Sequence, residues 1–146
     1  MFKTIVWATD GSEAADMALP YAKALAEGDG RQLFVVHGKE LLVGRAGGYP
    51  VLADEDELEA KIRHQVDEAR IEGIDATFKL VTDVARDVGA DVIVVGTRGH
   101  APVAGLLLGS VTQRLLHIAP CPVLAVPSEK QMGARDPQRE TAAAAR

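Results

Sequence analysis

The chain is short of several residue types, and each shortage closes off a class of function. It has one cysteine, Cys121, in 146 residues. No internal disulfide and no cysteine-cluster metal site can form from that. Cys121 stands in "APCPVLAVP", an apolar setting that suits a buried small hydrophobe better than a reactive thiol. Aromatic residues make up only 4%, too few for a platform on which bases stack. Lys and Arg number 16 against 21 Asp and Glu, a net charge of -5. Nucleic-acid binders normally carry a basic patch, so no nucleic-acid partner is expected. No apolar run approaches the ~18 residues of a membrane span, so no membrane partner is expected either. The opening "MFKTIVWATDGS" lacks the charged start and cleavage site of a secretory signal, which makes the cytoplasm the expected location. The four histidines share no metal-like spacing, and no metal site is expected.

What is present is a core. Apolar residues reach 47%, ample for one domain of this length. Residues 3–8, "KTIVWA", read as a short buried strand. A helix is expected over 13–27, capped by Ser12 and kinked by Pro20 in its interior. "QLFVVHG" is a second strand, and residues 39–53 read as a loop without period. "DEDELEAKIRHQVDEARIEG" is a helix with Leu58, Ile62, Val66 and Ala69 in one stripe and acidic residues crowding its first turn. "ADVIVVG" is a strand buried on both faces, 110–118 an amphipathic helix, and "CPVLAV" the closing strand. The domain is expected to end at residue 127, and 128–146, which lacks a core stripe, to be a flexible tail. Strands alternating with helices give an α/β fold: an open parallel sheet with helices on both faces.

One segment fits two periods. In "IDATFKLV", 74–81, Ile74, Ala76, Phe78 and Leu80 alternate like a strand, yet Ile74, Phe78, Val81, Ala85 and Val88 also share a helical face. If it is a strand, only 82–90 remain for a parallel crossover, which usually takes about a dozen residues or more. A strand with a shortened crossover is the preferred reading, with a helix, or residues missing from the chain, as the alternatives.

The chemistry concentrates in "VVGTRGHAPVAGLLLGSVTQ", 94–113. Gly96 ends a strand, and in an open parallel sheet ligands bind beyond the carboxyl ends where strand order reverses. Glycine lets backbone come close to a ligand, a run of amides can wrap an anion, and Ser110 opens a helix whose amides and dipole favour negative charge. Spacing alone leaves an ordinary loop equally open. Neither G-x-x-x-x-G-K-[ST] nor G-x-G-x-x-G occurs.

The pattern Gly96-x2-Gly99-x9-Gly109-Ser110 resembles the ATP-binding signature of the universal stress protein family. "IVWATDGSEAADMAL", with its acidic Asp10, resembles that family's first strand and helix start, and "LLHIAPCPVLAVP" its last helix–strand junction. The resemblance spans residues 2–127. It implies a five-stranded sheet in order 3-2-1-4-5 (adenine nucleotide alpha-hydrolase-like) with an ATP site over strands 1 and 4. Carried over residue by residue, Ala8 and Thr9 line the base, Asp10 sits by the adenosine and Gly38 near the adenine. Val95 and Gly96 flank the ribose, and Gly99, Gly109, Ser110 and Val111 hold the phosphates. It also implies a homodimer through edge strand 121–126, for which an exposed apolar edge is an independent physical reason. The stretch from Leu80 to Val84 departs from the family, whose members have a longer Gly- and Pro-containing segment there.

Arg98 and His100 lie in the loop, and Arg98 is the better phosphate partner by its fork. Lys39 and Arg45 are weaker candidates for closing the pocket. His37 and His117 read as structural and His64 as solvated. No activating base can be named for Ser110, so no catalytic residue is assigned. The ligand expected is ATP, with Mg2+ as a companion, and with cyclic AMP or AMP less favoured. The function expected is nucleotide-dependent regulation or stress response, with at most slow ATP hydrolysis. The alternative is a dimeric scaffold of the same family with no nucleotide. An enzyme acting on adenosine phosphates needs a second site that is not evident, and an electron-transfer flavoprotein relative is normally longer.

Overall fold

A computed structural model of the chain describes residues 1–37, 55–80, 88–97 and 110–128. Five strands, β1 (Thr4–Thr9), β2 (Gln32–His37), β3 (Ala76–Leu80), β4 (Val92–Gly96) and β5 (Val123–Val126), form one sheet in the order β3-β2-β1-β4-β5. Every pairing is parallel. The described helices are α1 (Glu13–Asp16), α2 (Leu19–Ala26), α3 (Glu55–Ile71) and α4 (Ser110–Ile118). The α/β class and the strand order are those expected.

The middles of the central strands, residues 5–8, 33–36 and 92–95, are continuously apolar, because the pleat sends alternate side chains into two different cores. Ile5 and Trp7 of β1, Leu33 and Val35 of β2, and Val92 and Val94 of β4 enter one core, with Ile62, Val66 and Ala69 of α3. Val6, Val36, Ile93 and Val95 enter the other, against Leu115 and Ala119 at the end of α4. The α3 stripe is as read from the sequence, with Leu58 partly buried at its start. Full burial of such an aliphatic side chain contributes roughly 1.5–3 kcal/mol.

Ser12 caps α1 as expected: its Oγ accepts from the Ala15 amide at 3.2 Å. The single kinked helix over 13–27 is not formed. Proline has no N–H, and its ring collides with the carbonyl four residues back. The chain avoids that conflict by ending α1 at Asp16 and restarting at Leu19, with Pro20 in the first turn of α2. There a missing amide costs nothing. A tight Ala18 N–H to Ala15 carbonyl bond of 3.0 Å makes the joint.

The two-period segment is a strand. β3 pairs with β2 over five residues, Leu33↔Ala76 to His37↔Leu80. Ile74 and Ala76 are buried, and Phe78 packs on the same core. Lys79, on the opposite face, places its ammonium 4.9 Å from the Phe34 ring centroid. Residues 81–91 remain for the crossover to β4, a short connection as expected, and 81–87 lie outside the described residues. So do the expected loop at 39–53 and all of the expected tail after Ser128.

His117 is a correction. It is exposed, as are its neighbours Leu116 and Ile118, because α4 packs inward through Leu115 and Ala119. Cys121 is half-buried on the second core rather than enclosed. Desolvation pushes its thiol pKa up, with the Asp91 carboxylate adding to the shift. His64 is exposed beside Glu68, 3.4 Å away. No helix among the described residues is long and apolar enough to cross a membrane.

Candidate functional site

The strand order reverses between β1 and β4, since β1 leads to β2 on one side and β3 crosses over to β4 on the other. The β1–β2 ladder runs on to Thr9↔His37 and the β4–β5 ladder to Gly96↔Val126. The β1–β4 ladder stops at Trp7↔Val94. Thr9 and Gly96 lie two residues past that last pair, so β1 and β4 part at their carboxyl ends. In a parallel sheet this is where a ligand crevice forms.

Polar burial marks the same edge. Among the described residues, the buried polar side chains are Thr9, Ser12, His37, Thr97 and Thr112. All five belong to strand carboxyl ends or to the helix starts that follow them. Buried polar groups are costly unless they are hydrogen-bonded, and the bonds at this edge hold it together. His37 donates from Nδ1 to the Thr9 carbonyl at 3.0 Å. A carbonyl can only accept, so the proton is on Nδ1. Thr112 donates from Oγ1 to the Gly96 carbonyl at 2.8 Å, which ties the first turn of α4 to the tip of β4. The Thr97 amide continues the ladder, donating to the Val126 carbonyl at 2.9 Å.

The turn after β1 is built from its own side chains. Thr9 Oγ1 accepts from the Gly11 amide at 3.0 Å, and Asp10 Oδ1 from the Ser12 amide at 2.9 Å. The latter closes an Asx turn. Gly11 has φ +77°, and a Cβ there would lie 1.8 Å from the Leu58 Cδ1 of α3. The positive φ is what calls for glycine, since the Leu58 methyl is the end of a flexible side chain and can turn aside. From α3, Lys61 donates to the Gly11 carbonyl at 2.9 Å and to Asp16 Oδ2 at 2.5 Å, and Gln65 donates to Asp16 Oδ1 at 3.0 Å.

Gly96 is explained by packing. A Cβ on it would lie 2.2 Å from the Ala14 carbonyl oxygen and 2.6 Å from the Ala14 carbonyl carbon. The space that glycine leaves is thus filled by α1, so any ligand contact at Gly96 falls to its backbone.

Of the residues singled out from the sequence, Ala8, Thr9 and Asp10 are brought together with Val95 and Gly96 across the parted ladder. Ala8 and Val95 face the second core. Ser110 and Val111 open α4. Gly38, Arg98, Gly99 and Gly109, with Lys39, Arg45 and His100, lie outside the described residues. Sequence reasoning missed Thr97, Thr112 and Lys61. Thr97 lies inside the glycine pattern and Thr112 just after it, a readable signal, whereas Lys61 has none. Among the described residues no group of three or more His, Cys, Asp or Glu could hold a metal. The carboxylate with a lowered pKa, Asp91, sits at the opposite edge, held by the backbone amides of Thr4 and Lys3.

Fold and site together define a doubly wound α/β protein with a polar, hydrogen-bonded edge at its switch point. The family model for the universal stress protein family matches residues 1–127, and the chain belongs to that family. A Thermus aquaticus relative, the universal stress protein in the QAH/OAS sulfhydrylase 3' region, is 36% identical over 145 residues, covering 86% of this chain and 99% of its own. A universal stress protein solved in complex with cAMP superposes with TM-score 0.60 at 25% identity, covering 86% of this chain and 96% of its own. The universal stress protein from Archaeoglobus fulgidus in complex with dAMP superposes with TM-score 0.55 at 26% identity, covering 86% and 98%.

Proposed function

We propose that this chain binds an adenine nucleotide over the parted ends of β1 and β4, with ATP preferred and cyclic AMP or AMP weaker. It then acts in the cytoplasm as a nucleotide-dependent regulatory or stress-response protein, with at most slow hydrolysis. The observation that carries this reading is that the buried polar side chains gather where the β1–β4 ladder ends. Relatives solved with cAMP and with dAMP support the adenine.

In this reading Ala8, Thr9, Asp10 and Gly38 receive the adenosine, and Val95 and Gly96 border the ribose. Gly99, Gly109, Ser110, Val111 and Arg98 take the phosphates. The Thr112 bond to Gly96 fixes where the α4 amides point, and a helix start favours anionic oxygen. Mg2+ would travel with the phosphates, since no described carboxylate cluster offers it a separate seat. A second copy would pair along β5, whose one described partner strand is β4.

The test is mass analysis of small molecules released from the denatured protein, followed by calorimetric titration with ATP. Asp10→Ala is expected to raise the ATP dissociation constant about tenfold, or ~1.4 kcal/mol, with little change in melting temperature. Unchanged affinity refutes the site, and failure of the wild type to bind any adenine nucleotide returns the chain to the scaffold reading.

A further inference from the structure

The peptide group joining Gly11 to Ser12 is held from both edges. Its N–H donates to Asp10 Oδ1 at 2.9 Å. Its carbonyl accepts from Lys61 Nζ at 2.9 Å. In a trans peptide those two groups point in opposite directions, so Lys61 and the Asp10 carboxylate bracket one rigid plane. The ammonium withdraws charge from the carbonyl and makes the N–H on the far side a better donor, because hydrogen bonds in a chain polarise one another. Both end groups are ionic, which makes these the stronger kind of bond.

Glycine at position 11, with φ +77°, could otherwise let this plane rotate, since it has no Cβ to restrict it. Two neighbours oppose that. Leu58 lies where a Gly11 Cβ would be. Asp16, gripped by Lys61 and Gln65, fixes the ammonium from the α1 side. Leu58, Lys61 and Gln65 are spaced i, i+3, i+7, one face of α3. The face of α3 next to its core stripe therefore grips the turn that carries Asp10.

We infer that Lys61 is a positioning residue for Asp10: through the Gly11–Ser12 peptide it sets the direction in which the Asp10 carboxylate is offered to a nucleotide. This rests on the nucleotide reading above and adds to it a residue from a third element, 50 positions from its carbonyl partner in sequence. Lys61 acts through the peptide and touches no ligand itself. The Lys61–Asp16 pair is partly exposed, and exposed ion pairs contribute little to stability. The effect of removing Lys61 accordingly falls on binding rather than on folding.

The experiment compares ATP affinity and melting temperature for wild type, Lys61→Met, Lys61→Arg, Asp16→Asn, Asp10→Ala and the Lys61→Met/Asp10→Ala double variant, with hydrogen exchange of the Ser12 amide. Lys61→Met is expected to weaken ATP by up to about tenfold, the loss assigned to Asp10→Ala, since a misdirected carboxylate loses at most what an absent one does, at a near-wild-type melting temperature. Lys61→Arg recovers most of that loss, and Asp16→Asn keeps wild-type affinity because the amide oxygen still accepts from Lys61 and the ammonium stays on Gly11. In the Asp10→Ala background Lys61→Met adds nothing, since the group it orients is gone. Unchanged affinity in Lys61→Met, additive losses in the double variant, or an equal loss in Asp16→Asn each overturn the positioning role while leaving the nucleotide reading in place. If the wild type binds no adenine nucleotide, the nucleotide reading fails and the positioning role with it. The relay itself is then judged by Ser12 exchange, which Lys61→Met is expected to accelerate and which, if unchanged, overturns the relay.

Discussion

Replacing Gly96 by alanine separates two reasons for a glycine at the end of β4. If glycine is there only to admit a ligand, alanine should leave the empty protein unaffected. The structure gives a different expectation. The new methyl would stand 2.2 Å from the Ala14 carbonyl oxygen and 2.6 Å from the Ala14 carbonyl carbon. Both are backbone atoms of α1, so no side chain can swing aside. Clearing even 3.0 Å requires α1 to retreat by about 0.8 Å. Gly96 is not among the positive-φ glycines, so the effect is contact and not backbone strain. Overpacking of this kind costs typically 1–3 kcal/mol, and a backbone clash with no flexible neighbour belongs at the upper end. With an urea dependence of ~2 kcal/mol per molar, the unfolding midpoint should fall by ~1.5 M, and Tm by roughly 10 °C.

The chain carries its own reporter of that movement. Trp7, its single tryptophan, is fully buried and donates from Nε1 to the Ala15 carbonyl at 3.1 Å. Ala15 follows the residue that the new methyl pushes. A retreat of α1 therefore stretches the indole bond and changes the native emission spectrum as well as the stability. Urea titration followed by Trp7 fluorescence reads both at once. A Gly96→Ala protein with wild-type emission and a stability within ~0.5 kcal/mol, the range of an ordinary surface change, refutes the packing explanation and returns Gly96 to the ligand.

Asp91→Asn tests the other edge. Asp91 Oδ2 accepts from the Lys3 and Thr4 amides at 2.8 and 2.9 Å, which lowers its pKa below the ordinary 3.8. A depressed folded-state value means the carboxylate stabilises the fold above the unfolded pKa and loses that effect as pH falls through the folded one. Wild type should lose stability below about pH 4 more steeply than Asp91→Asn, which should be less stable at neutral pH; parallel acid profiles by circular dichroism contradict this. For assembly, sedimentation at micromolar concentration is expected to give a dimer that Leu124→Lys, a charge on the exposed residue of β5, weakens. A monomeric wild type counts against edge pairing.

The strands were legible where burial on both faces leaves an unbroken apolar run, as in "VIVVG", and where a cap has an unambiguous partner, as at Ser12. Residues 74–81 matched two periods, and the choice lay in tertiary pairing with β2, which no local pattern contains. Pro20 was visible as an obstacle, but whether the chain would bend or break there depended on where α1 could end. His117 reads as buried from its apolar neighbours Leu116 and Ile118, yet all three lie on the arc of α4 turned away from Leu115, the residue that meets the core. Lys61 carried no signal at all. It stands in a charged helix like many solvated lysines, and its role exists only because α3 lies along the Gly11 carbonyl.

That last contrast bears on how binding at this edge should be probed. Gly11 lies in the stretch that resembles the family's first strand and helix start, and Gly96 in the one that resembles its ATP-binding signature, yet each has a reason within the fold: Gly11 its φ of +77° and Gly96 the backbone of Ala14 in α1. The same packing shapes the end of the sheet, since α1 closes on the tip of β4 just where the β1–β4 ladder has ended. A glycine variant that loses ligand will therefore lose stability as well, because substitution strains the backbone at Gly11 and displaces α1 at Gly96. Asp10→Ala and Lys61→Met remove side-chain atoms without adding any. Loss of affinity at constant melting temperature in those two variants, set beside coupled losses in Gly96→Ala, would distinguish the groups that offer hydrogen bonds to a nucleotide from those that hold the walls apart.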